Sequence, residues 1–339
     1  MPASSRFPIE HISHSAELRR RAIRFAEELG FNEVRAGQVG IVATEAATNI
    51  LNHARNGEIL LQVSDPGIPQ SVPDLEILAL DRGPGMDIEK CLQDGFSTGS
   101  TPGQGLGAIQ RLSDESDFYS KAGEGTAVLA RWVGTRTSAA GQRDGNFVRF
   151  GAVNVPKNGE EVCGDAWGIE RAGAITTVML ADGLGHGYEA SRASVEATRI
   201  LRQNSSLLPG ALIDITHRAL RSLRGAAVSI ARLDPLTGTV CFTGLGNVSC
   251  QIYSPSGRSQ HLVSVNGTAG HQAARIREFS YAWPADGILI MHSDGLTTGT
   301  SIEAKPGLAF RDVSLIAGVL YRDFSRGHDD ATIVVGKAA

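Results

Sequence analysis

The chain has 339 residues and a mass of 35.8 kDa, is 42% hydrophobic and carries a formal net charge of -4 at a pI near 6.1. That length accommodates two domains of ordinary size, and the weak acidic balance offers no basic field of the kind that gathers nucleic acid. Four cysteines, Cys91, Cys163, Cys241 and Cys250, show no CxxC spacing, the first residues form no hydrophobic leader core, and no run nears the ~20 apolar residues of a membrane span, so a soluble, reduced, cytoplasmic protein with neither nucleic acid nor membrane as partner is expected.

Taken in chain order, residues 16–29 and 36–54 have helical periodicity, with Val39, Val42, Ala43, Ala46, Ile50 and Ala54 falling largely on one stripe. Arg19, Arg20, Arg21 and Arg24 read as a solvated helix face. Ile59–Val63 and Leu75–Leu80 read as strands flanking a Pro/Gly-rich loop, a third helix begins near Gly105, and Ala127–Trp132 is a closing strand. The polar, small-residue segment 135–146 reads as a linker between a domain at 10–134 and a second at 147–339. Beyond it come many short strands, a hairpin turned at Asp234–Gly238, and helical stretches near 188–203 and 210–223. Arg218, Arg221 and Arg224 have helical spacing and read as a second solvated face. Both halves are α+β, without the βαβ rhythm of a doubly wound sheet.

Several motifs carry chemistry. Glu45 and Asn49 lie four apart on the second helix and so share a face, where a satisfied buried pair is the plain alternative. The strand at 75–80 runs into Asp81-Arg-Gly83-Pro-Gly85, and Gly103-Gln-Gly105-Leu-Gly107 opens a helix whose free N–H groups and dipole favour phosphate. Gly123-Glu-Gly125-Thr126 precedes the last strand of this half, and no P-loop lysine motif competes for a nucleotide.

In the second half, carboxylates stand at strand ends. Asp165 follows Gly164, Asp182 sits in Ala181-Asp-Gly183-Leu-Gly185-His186-Gly187, Asp294 in Ser293-Asp-Gly295, and Asp329 with Asp330 in Gly327-His-Asp-Asp-Ala-Thr332. Singly, an Asp-Gly pair is a turn, which is the reading kept for Asp286-Gly287. Together, such charges repel unless a cation holds them, and all-oxygen ligands suit Mg²⁺ or Mn²⁺ rather than zinc. The usual work of such a centre is to activate water against a phosphate ester.

The order of motifs from roughly residue 10 to 133 resembles the GHKL ATPase family. Within it, Leu29-Gly-Phe31 and Asp94-Gly-Phe-Ser-Thr98 look like the RsbT-type anti-sigma-factor serine kinases. The resemblance implies a Bergerat α/β sandwich that binds ATP with one Mg²⁺. Asn49 would coordinate that metal and Glu45 would orient or deprotonate the acceptor hydroxyl. Asp81 would bind the adenine amino group, Gly83 and Gly85 would shape its pocket, Gly103, Gly105 and Gly107 would form the phosphate lid, and Thr126 would support the adenine side.

Residues 147–337 resemble the PPM-type metal-dependent Ser/Thr phosphatases of the SpoIIE branch, most closely the RsbX type at Ala181–Gly187. This implies an αββα sandwich holding two Mg²⁺ or Mn²⁺ ions, with Asp165, Asp182 and the Gly183 carbonyl on the bridged pair and Asp294 and Asp329 completing the second ion. Asp330 stands where many members carry Asn, His186 fits a general-acid, phosphate-contact or structural role, and the phosphate-binding Arg of eukaryotic relatives has no counterpart, Lys157 being the nearest cation. The joint implication is a bifunctional regulator that phosphorylates Ser/Thr of STAS-domain anti-anti-sigma or stressosome proteins and hydrolyses such phosphoproteins, with a sigma factor or response regulator as a further partner class. The alternative is a phosphatase whose first domain is a non-catalytic ATP-sensing or sigma-factor-binding module.

Overall fold

The computed structural model describes residues 3–54, 56–64, 72–91, 105–134, 147–257, 259–273 and 276–338. The chain divides into two compact units that are not consecutive in sequence. One comprises Ser4–Gln142 with Phe310–Arg322, and the other Arg143–Ala309 with Asp323–Ala339 and the first three residues. The boundary expected at 135–146 lies outside the described residues, and the return of residues 310–322 to the first unit departs from a simple two-part chain.

The first unit opens with β1 (Ser5–Ile9), α1 (Ile12–Glu28), α2 (Glu33–His53), β2 (Gly57–Ser64) and β3 (Asp74–Asp81). It continues through α3 (Ile88–Cys91), α4 (Gly105–Leu112), β4 (Glu115–Lys121) and β5 (Gly125–Trp132). Asn32 starts α2 by accepting the Arg35 backbone N–H on its side chain at 2.9 Å. The strands form an antiparallel sheet ordered β1-β2-β3-β5-β4. Alternation decides its faces: Ile59, Leu61, Leu75, Ile77 and Ala79 share one core with Leu18, Ala22, Val39, Ala43, Ala46 and Ile50 of the helices. The arginines of α1 are exposed, as their spacing implied.

The second unit has two sheets. One runs β13 (Ser264–Val265), β10 (Thr239–Leu245), β9 (Ala226–Asp234), β8 (Ile175–Gly183), β7 (Asp165–Ala172), with β14 (Phe279–Ala282) also on β10. The other runs β12 (Gln260–His261), β11 (Ser249–Tyr253), β15 (Ile288–His292), β16 (Ala331–Ala338), β6 (Val148–Val155), so the first and last strands of the unit pair. Inward residues of both sheets, including Val178, Leu180, Ala231, Phe242, Met291 and Val334, make one core. The alternate residues Met179, Ala181, Val228 and Ile230 face outward and pack with Ala193, Ala197, Leu212 and Ile213 of α5 (Tyr188–Gln203) and α6 (Pro209–Ala219). The predicted hairpin at Asp234–Gly238 is present, Asp234 Oδ1 accepting the Leu236 and Thr237 N–H groups. Asp286 accepts from Ser254 Oγ and the Ser256 N–H, the turn-capping role expected of it.

The last helix, α7 (Val313–Phe324), has no exposed face: every residue from Val313 to Arg322 is buried. On β3, Leu78 and Leu80 point away from the α1/α2 core, and a Cβ built on Gly318 would lie 3.2 Å from Leu80 Cδ2 and 3.5 Å from Leu78 Cδ2. One residue along the same face, Glu76 is fully buried and anchors a network. It accepts from Arg131 Nε at 2.8 Å, Gln62 Nε2 at 2.9 Å and Ser314 Oγ at 2.9 Å. Arg131 in turn reaches both oxygens of Asp312, at 2.9 and 2.7 Å, and Glu115 at 2.6 Å. Burial by itself would lower the Arg131 pKa, but Glu76 and Asp312 raise it above the ordinary arginine value.

Candidate nucleotide and metal sites

In the first unit, the motif residues gather around the C-terminal half of α2. Glu45 and Asn49 are half-buried one turn apart. Gly105, the first residue of α4, lies on both: its Cβ position falls 3.0 Å from Asn49 Oδ1 and 3.4 Å from Glu45 Oε2. One turn further along α2, the His53 carbonyl oxygen lies 2.9 Å from the Cβ position of Gly83. Asp81 ends β3, and its Oδ1 accepts the N–H groups of Gly83 at 2.7 Å and Thr126 at 3.1 Å. Burial raises the Asp81 pKa against those two bonds. A side chain at Gly125 is excluded, because its Cβ would sit 2.0 Å from the Asp81 carbonyl oxygen. Thr126 Oγ1 also meets Ser120 Oγ at 3.1 Å. Gly85 packs its backbone on Lys121, and Gly107 is buried within α4.

Asp81, Gly83 and Thr126 are thus joined at the end of β3, and Glu45 and Asn49 stand on α2 against Gly105 of α4. Gly103 and the Asp94–Thr98 motif lie outside the described residues. Arg322 of α7, which carried no sequence signal, donates from Nη1 to the Asp81 carbonyl at 3.0 Å, and Arg82 donates to the Arg322 carbonyl.

In the second unit, strand pairing brings the carboxylates to one end of the sandwich. Asp165 at the start of β7 faces Asp182 at the end of β8 in register. Gly295 packs so closely on the Asp330 backbone that a Cβ there would lie 1.9 Å from the Asp330 carbonyl oxygen, which sets Asp294 beside Asp329 and Asp330. Asp330 Oδ2 lies 2.5 Å from the Cβ position of Gly164, next to Asp165. The Gly183 N–H donates to the Gly164 carbonyl at 3.3 Å, fixing the loop that follows Asp182.

The charges are mutually unfavourable. Burial, then repulsion from Asp165, Asp294 and Asp329, holds Asp182 well above the ordinary carboxylate range. Burial also raises Asp165, with the charges of Asp330 and Asp294 adding to it and the neighbouring Ser293 and Thr332 opposing it. Asp294 and Asp330 are raised mainly by burial. The oxygens Asp165 Oδ2 and Asp330 Oδ2 are buried without a hydrogen-bond donor. Orphaned carboxylate oxygens in such a cluster are the structural mark of a site built for a cation. Among the described residues no three acidic, imidazole or thiol groups already converge on one point. An all-carboxylate donor set suits a hard, oxygen-seeking cation such as Mg²⁺ or Mn²⁺.

Sequence reading set Asp330 aside, yet its side chain belongs to this cluster, with Oδ1 accepting the Lys157 N–H at 2.9 Å. It also missed Asn247, whose Nδ2 donates to Asp294 Oδ2 at 2.7 Å from the short bend between β10 and β11, with no motif around it. His186 is exposed and pairs through Nδ1 with Glu160 Oε1 at 2.6 Å.

Comparison with known proteins matches each part of the chain to a family. The histidine kinase-like ATPase domain family matches residues 10–132, and the stage II sporulation protein E (SpoIIE) family matches residues 173–338. The serine/threonine-protein kinase RsbT of Bacillus subtilis (strain 168) is 42% identical over 111 residues, spanning 32% of this chain and 80% of RsbT. The chain belongs to the RsbT-like kinases, joined in one polypeptide to a SpoIIE-type phosphatase. For the second part, the phosphoserine phosphatase RsbX of the same organism is 24% identical over 182 residues, covering 53% of this chain and 90% of RsbX. A chain from a solved structure of the bacterial stressosome superposes with a TM-score of 0.53 at 24% identity, covering 56% of this chain and 99% of that one. The α+β architecture, an RsbT-like ATPase sandwich followed by a SpoIIE-type phosphatase sandwich, is the one expected from sequence. The SpoIIE match begins after Asp165, which strand register nonetheless pairs with Asp182. No helix among the described residues is long and apolar enough to cross a membrane.

Proposed function

We propose that this chain is a bifunctional switch acting on Ser or Thr of STAS-domain anti-anti-sigma or stressosome proteins. Its RsbT-like unit transfers phosphate from ATP, and its SpoIIE-type unit removes it. The observation that carries the kinase half is Glu45 standing with Asn49 against Gly105, since nucleotide binding alone needs no carboxylate beside the phosphate lid. In this reading Asn49 holds the Mg²⁺ of Mg-ATP, and Glu45 takes or orients the proton of the acceptor hydroxyl. Asp81, with Gly83, Gly85 and Thr126, receives adenine, and Gly103, Gly105 and Gly107 cover the phosphates. Likeness to RsbT, RsbX and a stressosome chain supports the partner class. A sigma factor or response regulator is a second partner class for the same surface.

In the phosphatase half, Asp165, Asp182, the Gly183 carbonyl, Asp294 and Asp329 are the proposed holders of two Mg²⁺ or Mn²⁺ ions. Such ions, when bound, lower the pKa of water and offset charge on phosphoryl oxygens. The chain's own contribution is to fix the acidic ends: the register of β7 with β8 sets Asp165 opposite Asp182, and Asn247 donates to Asp294. The test is incubation of the purified chain with ATP, Mg²⁺ or Mn²⁺ and a STAS-domain protein, following phosphate in both directions. Transfer to Ser or Thr and its metal-dependent reversal are the expected results, and absence of transfer with reversal intact would favour an ATP-sensing first unit instead.

A further inference from the structure

Sequence spacing placed Arg224 on a helix face with Arg218 and Arg221. The structure puts it elsewhere: α6 ends at Ala219, a short 3-10 turn covers Leu220–Ser222, and β9 begins at Ala226. Arg224 therefore belongs to the extended lead into β9, not to a helix. That strand pairs with β8 so that Ala227 faces Asp182 and Ala226 faces Gly183. The pairing runs on past both strand ends, where the Leu184 N–H donates to the Gly225 carbonyl at 3.0 Å. The next residue outward is Arg224, and its guanidinium Nη1 lies 3.1 Å from the Cβ position of Gly185. Its backbone is pinned by His271, whose Nε2 donates to the Arg224 carbonyl at 2.7 Å.

Arg224 is exposed. Its guanidinium sits beside the loop that follows Asp182, and among the described residues it makes no ion pair. On the other side of the same loop, His186 is engaged by Glu160, whose Oε2 lies 2.8 Å from the Cβ position of Gly187. Lys157 reaches the acidic cluster through its backbone N–H. A ring of carboxylates that gathers cations can attract a phosphoryl group, but it gives no hydrogen-bond donor to the outward-facing phosphoryl oxygens. A planar guanidinium at the rim supplies two parallel donors in the geometry those oxygens need.

Resting on the phosphatase reading of the acidic site, we infer that Arg224 is the phosphate-binding residue of this unit and grips the phosphoryl group of the phosphoserine or phosphothreonine substrate. The arginine in the first strand of the unit, Arg149, pairs in register with Lys337, at the end of β16 far from Asp330. The fold supplies one from a different place, the entrance to β9. Arg224 is thus a substrate-binding residue, separate from the proposed metal holders.

The test uses the full chain loaded with Mn²⁺. Isothermal titration calorimetry measures the Kd for inorganic phosphate, and steady-state hydrolysis of a phosphoserine peptide gives KM and kcat. Arg224→Ala is compared with Arg224→Lys and with Arg221→Ala, an exposed neighbour that controls for loss of one positive charge. Arg224→Ala should weaken phosphate binding and raise KM by roughly tenfold or more, the scale of one charge-assisted contact. Arg224→Lys should recover part of the loss, Arg221→Ala should match wild type, and the Mn²⁺ titration midpoint should stay put in all three. Equal phosphate Kd values in Arg224→Ala and Arg221→Ala would overturn the inference, as would a wild-type chain that binds no phosphate. Phosphate binding that depends on Arg224 without any peptide hydrolysis would support the inference and refute the phosphatase reading.

Discussion

Asp182 and Asp165 are poorly placed for the stability of the metal-free chain, being buried beside other carboxylates. Both have folded-state pKa values raised above the unfolded value near 4, chiefly by burial. The sign follows from proton counting. Between the unfolded and folded pKa values the native state holds more protons, so the metal-free protein loses stability as pH rises through that window and is most favoured below it. Cations compete with those protons, so the gain in melting temperature on adding Mn²⁺ should be larger at pH 8 than at pH 6; an equal gain at both would contradict a carboxylate site. Asp182→Asn should raise the melting temperature of the metal-free chain by relieving repulsion, while abolishing both the Mn²⁺ response and hydrolysis. In the other unit, Glu45→Ala should keep ATP affinity and lose roughly 10²–10⁴-fold in phosphotransfer, the usual worth of a general base. Asn49→Ala should instead lose ATP affinity itself. Equal losses of affinity in the two variants would make the pair structural. These residues were legible because each stands in a short motif that its chemistry demands. Asn247 and Arg224 were not, since the places proposed for them come from what the fold sets beside them: a bend between two strands and a strand end.

At the scale of elements, alternation made the strands readable, and β8 and β9 keep strict two-face patterns with different cores on each side. Helix α7 escaped because a helix buried all round has no polar stripe to give it a period, and nothing local says which sheet it will meet. Its attachment rests on the Glu76–Arg131–Asp312 network and on Gly318 against Leu78 and Leu80. Arg131→Ala should cost about 3–5 kcal/mol, because it leaves Glu76 buried and uncompensated. Asp312→Asn, which keeps the shape but not the charge, should cost less. Urea unfolding followed by circular dichroism checks both, and a cost under ~1 kcal/mol for Arg131→Ala would mean the network is not sealed from water. The same contacts predict that a fragment ending at residue 134 is destabilised or insoluble, since it lacks Phe310–Arg322 of its own unit. A fragment that melts as its counterpart does in the whole chain would refute that role for α7.

For the whole molecule, the proposed reading puts two opposed activities on one chain and so the substrate's phosphorylation state under the control of a single protein. Sequence was sufficient for the pairing of families, because each rests on a motif set spread over a whole domain. It was insufficient for the way the chain returns to its first unit near the end. The central claim is that Glu45 and Asp182 serve opposite directions of one phosphate cycle. The measurement that tests it most directly is the steady-state phosphorylation of one STAS-domain protein incubated with ATP, Mn²⁺ and, in turn, wild-type chain, Glu45→Ala and Asp182→Ala. The account predicts an intermediate level with wild type, accumulation of phosphoprotein with Asp182→Ala, and complete removal of added phosphate with Glu45→Ala. The same level with all three proteins would contradict it.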